Sequence, residues 1–346
     1  MSATNVEQWS RGGVTAVPLC PMCGQARRDP IGVARDAMVN GTDPWMLWQC
    51  VSCATAWLDP RPDDASLPAA YDFNYVTHRP PAAPRRAGWM TSLIDGYLNR
   101  RFGMHRSPSS SLGFPFFSVV APLRLKLDYY GRHLPPGRGG RLLDIGCGNG
   151  DFVALARSMN WNAEGLDPDA AAVAACLDRG IPVTQGFVSD LGATRQRDYW
   201  DAVTMSHCLE HVPDPRSMLR DVHTMLAPGG TVWMGLPNPS SLGARFYGLH
   251  WESYDAPRHL SLPALDVLLA ACRDAGFSHV EPLRRGMHTG RLYRRSAQIA
   301  RERGQHGLRY ASITAALFSL ASDLLATVSV RHADELVVVA IKAPAP

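Results

Sequence analysis

Four cysteines stand in two pairs of equal spacing, Cys20-x-x-Cys23 and Cys50-x-x-Cys53. Thiolates at this spacing can each bind one side of a tetrahedral Zn²⁺. Gly24 supplies the turn that a metal knuckle needs close to the sulfur. A redox disulfide is the alternative use of a single Cys-x-x-Cys pair. Because cysteine fills all four ligand positions, we predict a closed, structural Zn²⁺ site.

A second group of residues lies at 142–150, where the sequence is LLDIGCGNG. Its apolar start is typical of a buried parallel strand, and its glycines allow a tight turn into a following helix. Asp167 ends the next predicted strand about 20 residues later, where a carboxylate accepts the ribose hydroxyls of an adenosine. NAD and S-adenosylmethionine sites share this arrangement. Asp144 and Asp151 flank the glycines, would repel a pyrophosphate and attract a sulfonium, and so favour S-adenosylmethionine.

This region resembles a known family, the class I S-adenosylmethionine-dependent methyltransferases, and most closely their ubiquinone-O-methyltransferase-like branch. The matching segments are 142–150, Gly-Leu-Asp-Pro at 165–168, Ser-His-Cys-Leu-Glu-His-Val-Pro-Asp-Pro at 206–215 and Leu-Ala-Pro-Gly-Gly at 226–230. The N-terminal part resembles the zinc ribbon that many bacterial members carry. The resemblance implies an α/β, Rossmann-like sheet of seven strands in the order 3-2-1-4-5-7-6, with the last strand antiparallel. It also implies that a helix over 118–130 lies across the cofactor.

We predict that the cofactor-binding residues follow the ends of the first four strands. They are Asp144, Gly146, Cys147, Gly148, Gly150, Asp167, Pro168, Asp190 and Ser206. Family members often place an adenine-binding aspartate directly after the third strand, where this chain has Phe187. Either Asp190 reaches the adenine, or backbone and stacking contacts hold it. A helix N-cap is the structural alternative for Asp190.

Three histidines are candidate catalytic residues: His207, His211 and His259. Methyl transfer needs an in-line approach of the acceptor and, for a hydroxyl, removal of its proton. His207, Glu210 and His211 stand at a predicted helix start at i, i+3 and i+4, which places them on one helical face. His259 belongs to a later loop that is either the wall of the acceptor pocket or a packed lid.

Three roles stay open for this group. Glu210 and His211 shape the site by hydrogen bonds, or His207 is the base, with His259 as its rival. In the third alternative a divalent metal bound by His207, Glu210 and His211 polarises an acceptor hydroxyl. Metal-dependent relatives of the ubiquinone type use Glu where this chain has His207, so their ligand set does not carry over directly.

The remaining pattern divides the chain into three parts. We predict a zinc-ribbon domain at 1–75, a linker and helical cap at 76–135, and a methyltransferase domain at 136–346 with a helical insertion at about 286–333. The predicted strands are 141–145, 162–166, 181–185, 200–206, 230–235, 278–284 and 335–342. These apolar segments alternate with helical patterns, as parallel α/β sheets require.

The insertion has an unusual charge pattern. Eight arginines and a single acid, Glu302, lie between 284 and 309, and an apolar stretch follows from Ala311 to Val330. A basic helix beside an apolar one suits peripheral contact with an anionic membrane and a lipid-linked acceptor. A lid or a dimer surface is the alternative. Asp323 would cost about 3 kcal/mol at the bilayer midplane, which argues against a transmembrane span.

Composition fits an enzyme with a large core, since 46% of the 346 residues are hydrophobic. A net charge of only +4 gives no general affinity for polyanions, so nucleic acid is not an expected partner. Without an apolar run near Met1, we expect a cytoplasmic protein, peripheral at the membrane if the insertion binds there. The predicted function is S-adenosylmethionine-dependent methylation of a small-molecule, sugar or lipid-linked acceptor, foremost at oxygen. The alternatives are a catalytically inactive module that binds protein or nucleic acid, and an NAD-linked oxidoreductase.

Overall fold

The structure is a computed structural model, and it describes residues 9–39, 41–71, 88–193 and 197–345. The linker segment predicted from residue 76 onward lies outside the described residues as far as residue 87. The predicted domain boundary at residue 75 lies there too.

Thirteen strands and eleven α-helices form the described part of the chain. The strands are β1 (Val14–Thr15), β2 (Arg28–Ala34), β3 (Trp45–Cys50), β4 (Ala56–Leu58), β5 (Arg61–Pro62), β6 (Arg141–Ile145), β7 (Asn162–Asp167), β8 (Val183–Gln185), β9 (Trp200–Ser206), β10 (Leu226–Pro237), β11 (Ser261–Leu262), β12 (His279–Leu283) and β13 (Glu335–Ile341). The helices are α1 (Trp89–Phe102), α2 (Gly113–Val119), α3 (Ala121–Tyr130), α4 (Asp151–Ser158), α5 (Ala170–Asp178), α6 (Val188–Ala193), α7 (Pro215–Met225), α8 (Leu242–Tyr247), α9 (Leu265–Asp274), α10 (Thr289–Glu302) and α11 (Ser312–Val328).

The main sheet has seven strands in the order β12-β13-β10-β9-β6-β7-β8. Strands β6 to β10 run parallel, whereas β13 is antiparallel to both of its neighbours. Counted along the chain from β6, and read from β8, this order is 3-2-1-4-5-7-6, so the predicted fold class is confirmed. The central strands are almost continuously buried because helices cover both faces of a parallel sheet.

The helix predicted to start at His207 is wrong. His207 has a φ of 52°, and only Leu209–His211 form a single 3-10 turn. Helix α7 begins later, at Pro215, where the Asp214 carboxylate accepts the Ser217 N–H at 2.9 Å as an N-cap. A proline suits the first turn of a helix but breaks a helix that runs into it. Residues 207–211 therefore share no helical face.

The N-terminal ribbon is joined to the rest of the described chain through a shared sheet. Its four strands have the order β11-β4-β3-β2, and β11 comes from the loop that follows α8. The Leu58 N–H also donates to the Leu260 carbonyl at 3.1 Å. Met22 and Trp57 of the ribbon belong to the same buried cluster as Leu268 of α9.

A buried ion pair makes a second connection between these parts. The Arg258 guanidinium donates to both carboxylate oxygens of Asp36, at 2.9 and 2.8 Å, and to both of Asp255, at 3.0 and 2.6 Å. Its side chain has no exposed surface. Burial opposes the charge, but Asp255 and Asp36 raise the pKa of Arg258 above its usual range. The ribbon and the loop before β11 are thus held in one arrangement.

The predicted insertion forms two helices, α10 and α11, which pack against each other. Helix α10 carries four of the eight arginines. The outer face of α11 presents an exposed apolar row, namely Ile313, Leu317, Leu320, Leu324 and Val328. Within the described part of the chain, none of the helices combines the length and the apolar character needed to cross a membrane.

Candidate active site

A cavity of about 910 Å³ opens beside the carboxyl ends of the parallel strands. Its walls come from α1, α3, α4, the last residue of β9, and the start of α10 with the loop before it. Helix α3 borders this cavity through Lys126, Leu127, Tyr129 and Tyr130, in the place expected for the helix across the cofactor. Ligands of open α/β sheets bind at such a carboxyl edge.

The glycine turn between β6 and α4 has a left-handed backbone. Gly146, Gly148 and Gly150 have φ values of 68°, 53° and 77°. At Gly150 a side chain would also collide with Cys176, since an added Cβ would lie 2.8 Å from its sulfur. Only glycine fits this path without strain. The turn itself does not line the cavity, which begins at the next residues, Asp151 and Phe152 of α4.

Asp167 ends β7 and holds this turn in place. Its Oδ2 accepts the Gly148 N–H at 2.8 Å, and its Oδ1 accepts the Asp169 N–H at 2.9 Å. Burial raises the pKa of Asp167, although these backbone hydrogen bonds oppose the rise. A carboxylate oxygen has room for a second donor, so both oxygens can also accept ribose hydroxyls.

Asp144 is neutralised by a cation that the sequence analysis missed. Arg132 and Thr204 both donate to Asp144 Oδ1, the hydroxyl at 2.8 Å. The Arg132 guanidinium also lies over the Phe152 ring, 3.5 Å from its centre. Asp144 therefore no longer supports the argument that two carboxylates at this turn attract a sulfonium. Asp144 Oδ2, however, is buried without a hydrogen-bond partner among the described residues, and it could accept an amino group.

The other predicted cofactor residues lie around the turn. Cys147 is buried beneath it, and burial raises the pKa of its thiol. Pro168 is exposed directly after β7, and Ser206 lines the cavity. Asp190 is the third residue of α6, and its Oδ2 accepts the Phe187 N–H at 2.7 Å across the start of the helix. This is the contact that the N3 residue of a capping box makes, so Asp190 does not stand at the N-cap position named as its structural alternative. The Phe187 ring is 62% exposed and offers a flat surface near this edge.

His207 is held between two carboxylates. Its Nδ1 lies 3.2 Å from Glu210 Oε1, and its Nε2 lies 3.3 Å from Glu335 Oε1. Burial opposes a charge on the ring, but the hydrogen bonds to Glu210 and Glu335 raise the pKa of His207 to about 10. At neutral pH the imidazolium therefore keeps its proton, which disfavours a role as a free base.

Glu335, the first residue of β13, is a functional candidate that sequence reasoning did not identify. Tyr129 donates its hydroxyl to Oε1, and Arg285 donates its Nε–H to Oε2 at 2.6 Å. The Arg285 guanidinium also lies 3.3 Å from the centre of the Tyr129 ring. Burial opposes the ionised state, but Arg285 and His207 lower the pKa of Glu335 well below its usual range. The only local signal was a carboxylate at the start of an apolar strand.

His211 and His259 lie together with Glu210 rather than with His207. The ligand atoms of these three side chains are within 4.8 Å of one another. The Nδ1 atoms of the two rings meet backbone carbonyls, for His211 that of Arg258 at 3.1 Å and for His259 that of Ser253 at 2.7 Å. Burial lowers the pKa of His211 to about 4. The Tyr71 hydroxyl lies 2.8 Å from the same His211 nitrogen. Imidazoles oriented in this way beside a carboxylate can ligate a divalent metal.

The three histidines do not border the cavity: none of His207, His211 and His259 is among the described residues that line it. Glu210 itself is fully buried, and its Oε2 has no hydrogen-bond partner within the described ranges. The orphaned oxygen marks the centre of the cluster as the place where a cation or a donor group would fit.

The four cysteines of the ribbon converge as the spacing predicts. The sulfur of Cys20 lies 3.6 Å from that of Cys53, and the sulfur of Cys23 lies 3.4 Å from that of Cys50. A tetrahedron with Zn–S bonds of about 2.3 Å has sulfurs about 3.8 Å apart, so the four positions suit Zn²⁺ with a small adjustment. A hydrogen bond from Cys20 lowers the pKa of the Cys53 thiol, which favours a thiolate.

Comparison with known proteins agrees with this geometry. Residues 122–281 match the family model of a methyltransferase domain. The ubiquinone biosynthesis O-methyltransferase of Aeromonas salmonicida (strain A449) is 35% identical over 105 residues, 29% of this chain and 44% of that protein. The protein of the same name from Xanthomonas axonopodis pv. citri (strain 306) is 37% identical over 120 residues, 33% of this chain and 49% of that protein. The chain spans about half the length of the curated relatives it matches.

Among solved structures, a SAM-dependent methyltransferase from Archaeoglobus fulgidus is similar at 17% identity with a TM-score of 0.43, over 64% of this chain and 93% of that chain. The likeness to methyltransferases depends instead on the matched segment, which contains most of α3, the glycine turn, Asp167 and the strands from β6 to β10. With its sheet order and its glycine turn in place, this segment is similar to a methyltransferase domain.

Proposed function

We propose that the protein is an S-adenosylmethionine-dependent methyltransferase that methylates a small-molecule acceptor at oxygen. One observation carries the proposal: the Asp167 carboxylate holds the left-handed glycine turn between β6 and α4, inside the matched segment. The first residues of α4, Asp151 and Phe152, lead from this turn to the 910 Å³ cavity, which they line. The names of the curated relatives support methylation at oxygen. The proposed acceptors methylated at oxygen include a sugar and a lipid-linked molecule.

The residues present fit S-adenosylmethionine in three ways. Asp167 can accept the ribose hydroxyls, and the exposed Phe187 ring can stack on the adenine. The free oxygen of Asp144 can accept the amino group of the methionine part. The bound sulfonium supplies an activated methyl group, so the chain's own task is to align the acceptor and exclude water.

We propose that His207 positions the site and is not the proton acceptor. A charged ring between Glu210 and Glu335 links the end of β9 to the start of β13, and Tyr129 extends this network to the cavity wall. Preorganised charges of this kind orient groups without the cost of rearranging them during the reaction. The first of the three alternatives gave such a shaping role to Glu210 and His211, and only Glu210 belongs to this network.

We propose that Glu210, His211 and His259 form a divalent cation site. In the ligand set expected from the sequence, His207 stood where His259 stands here. Because none of these three side chains lines the cavity, a bound cation would hold the loop before β11 against the 3-10 turn at Leu209–His211 rather than touch an acceptor in the cavity. The orphaned Glu210 Oε2 supports this assignment. The test is methyl transfer after chelation and re-addition of Mg²⁺ or Mn²⁺, in wild type and in His259→Gln. Equal activity with and without metal in wild type would remove the proposal.

For the ribbon we propose one structural Zn²⁺, bound by Cys20, Cys23, Cys50 and Cys53. All four ligand positions are cysteine, which leaves no open position for substrate. The knuckle backbone is in place, since the Gly24 N–H donates to the Cys20 carbonyl at 2.8 Å.

The insertion, residues 284–330, is proposed as a peripheral membrane contact. The apolar row on α11 lies beside the arginines of α10, and an anionic bilayer offers partners for both. Flotation with anionic liposomes at low salt tests this. If the protein does not co-migrate with the liposomes, or if it forms a concentration-dependent dimer instead, the apolar row on α11 is a protein–protein surface.

Two measurements test the main proposal. Calorimetry with S-adenosylhomocysteine and with NAD should give binding only for the first, and the reverse would make the protein an oxidoreductase. Formation of S-adenosylhomocysteine from S-adenosylmethionine with fractions of a cell extract should then reveal turnover. Binding with no turnover in any fraction would favour the inactive module.

A further inference from the structure

The wall of the cavity that α3, the loop before α10 and the start of α10 form carries an excess of positive charge. Lys126, Arg285, Arg291 and Arg294 line this wall, and they come from α3, from α10 and from the loop before α10. Concave surfaces with one sign of charge concentrate ligands of the opposite sign.

The acidic residues of the cavity do not cancel this charge. Asp151 pairs with Arg179 at 2.9 Å. Asp323 accepts the backbone N–H groups of His288 and Thr289 at 2.9 and 3.0 Å, which caps the start of α10. Asp323 also acts on Arg285 through its charge. Two carboxylates are nevertheless too few to balance Lys126, Arg285, Arg291 and Arg294.

The cations themselves are only partly paired. Arg285 is bound to Glu335, whereas Lys126 and Arg294 have no ion-pair partner among the described residues. Arg291 reaches Glu252 at 3.4 Å, but its side chain is 80% exposed, where such a pair is weak. Arg285 Nη1 is also buried without a hydrogen-bond partner in the described part of the chain. An unsatisfied buried donor is unfavourable, and an anionic ligand would satisfy it.

A second groove, of about 410 Å³, continues this charged wall. Arg291 and Arg294 line it as well, together with Arg295 and Arg301 of the same helix. Two arginines thus face both the cavity and the groove, and the positive surface extends from the cavity along α10. The cofactor has a single carboxylate, so it cannot account for this number of cations.

We propose that the acceptor carries a phosphate group, bound by Arg291 and Arg294 with support from Lys126 and Arg285. Arginine forks match phosphate oxygens, and a phosphate ester carries about −1.5 to −2 charges, more than a carboxylate. The groove gives room for a second phosphate or a longer anion. This inference rests on the proposed methyl transfer, because it concerns the acceptor of that same site. The phosphate belongs either to a soluble ester or to a lipid headgroup.

The test uses the full chain with S-adenosylhomocysteine bound, inorganic pyrophosphate as the soluble probe, and phosphatidylcholine vesicles with and without phosphatidic acid. The variant R291Q/R294Q removes two cations, and R220Q/R273Q removes two exposed arginines outside the cavity as a charge-matched control. We expect the first variant to weaken binding of the probe at least about tenfold, since charge-assisted hydrogen bonds are lost. The control should bind as wild type does.

The outcomes separate the two proposals. Binding of pyrophosphate that R291Q/R294Q weakens supports a soluble phosphate ester. Binding only to vesicles that contain phosphatidic acid, again weakened by this variant alone, supports a lipid phosphate. If S-adenosylhomocysteine binds but neither probe does, or if both variants lose binding equally, the phosphate site is overturned while the methyltransferase remains. If wild type does not bind S-adenosylhomocysteine, the proposed function itself fails.

Discussion

Replacement of Arg258 by alanine should destabilise the protein strongly, because it leaves two carboxylates buried without their cation. Asp36 and Asp255 each lose two hydrogen bonds of 2.6 to 3.0 Å to a side chain with no exposed surface. Arg11 still reaches Asp36, at 3.1 Å, so Asp255 is the more isolated of the two. Removal of one partner from a buried ion pair costs about 3–5 kcal/mol.

The assay is urea unfolding followed by tryptophan fluorescence. For a slope of about 3 kcal/mol/M, this loss lowers the midpoint by at least about 1 M. Arg331→Ala is the matched control, since Arg331 binds Asp266 by two bonds of 2.8 Å but both side chains are exposed. We expect the control to change the midpoint little.

The pH dependence gives an independent check. Burial opposes ionisation of Asp255, but Arg258 lowers its pKa in the folded protein. This contribution to stability is present above the unfolded pKa of about 3.9 and is lost as the pH falls below it. The deficit of Arg258→Ala should therefore be greatest near neutral pH and shrink toward pH 4, where the orphaned carboxylates take up protons. A variant as stable as Arg331→Ala at neutral pH would refute this account of the buried pair.

Three further predictions concern the cofactor, His207 and the metal. Asp167→Ala should weaken S-adenosylhomocysteine binding at least about tenfold, as measured by calorimetry. The control Asp169→Ala removes only the N-cap of α5 and should bind as wild type does. Equal losses in the two variants would contradict the placement of the ribose. Because the pKa of His207 is raised to about 10, its ion pairs stabilise the fold fully below the unfolded pKa of about 6.5 and less as the pH rises toward 10. The stability difference between wild type and His207→Gln should shrink over that range. A constant difference would count against the ion pairs of His207 with Glu210 and Glu335. Wild type should contain one Zn²⁺ by elemental analysis. Cys53→Ser should lose both zinc and thermal stability, whereas the control Cys272→Ser should keep its zinc. A full zinc content in Cys53→Ser would exclude the assigned ligands.

The parts of the fold that depend on local signals follow from the sequence. The strands at 141–145 and 200–206 agree with the prediction to the residue, because buried parallel strands are short apolar runs between turns. The glycine turn and the position of Asp167 are equally local, since a strand, a tight turn and a helix adjoin in the chain. The true start of α7 was also readable, because Asp214 and Pro215 form an N-cap and a first helical position.

The charged networks could not be read in this way. Arg258 and Asp36 are 222 positions apart, and Tyr129 and Glu335 are 206 positions apart. Glu335 reaches the site because β13 pairs antiparallel with β10, which places it opposite Pro237. Such contacts depend on which strands become neighbours and in what register, and no local pattern records either. The same limit explains why His259, rather than His207, joins Glu210 and His211.

The two-residue strand β11 restricts how this chain can be shortened or recombined. An excised domain that begins at α1 would leave Ser261 and Leu262 with unpaired backbone groups, where Trp57 and Ala56 now complete the ladder. Open strand edges invite pairing with other chains, so such a fragment would tend to aggregate even with every residue around the cavity intact. Chimeras made from related enzymes should therefore exchange the ribbon and the β11 loop as a single cassette.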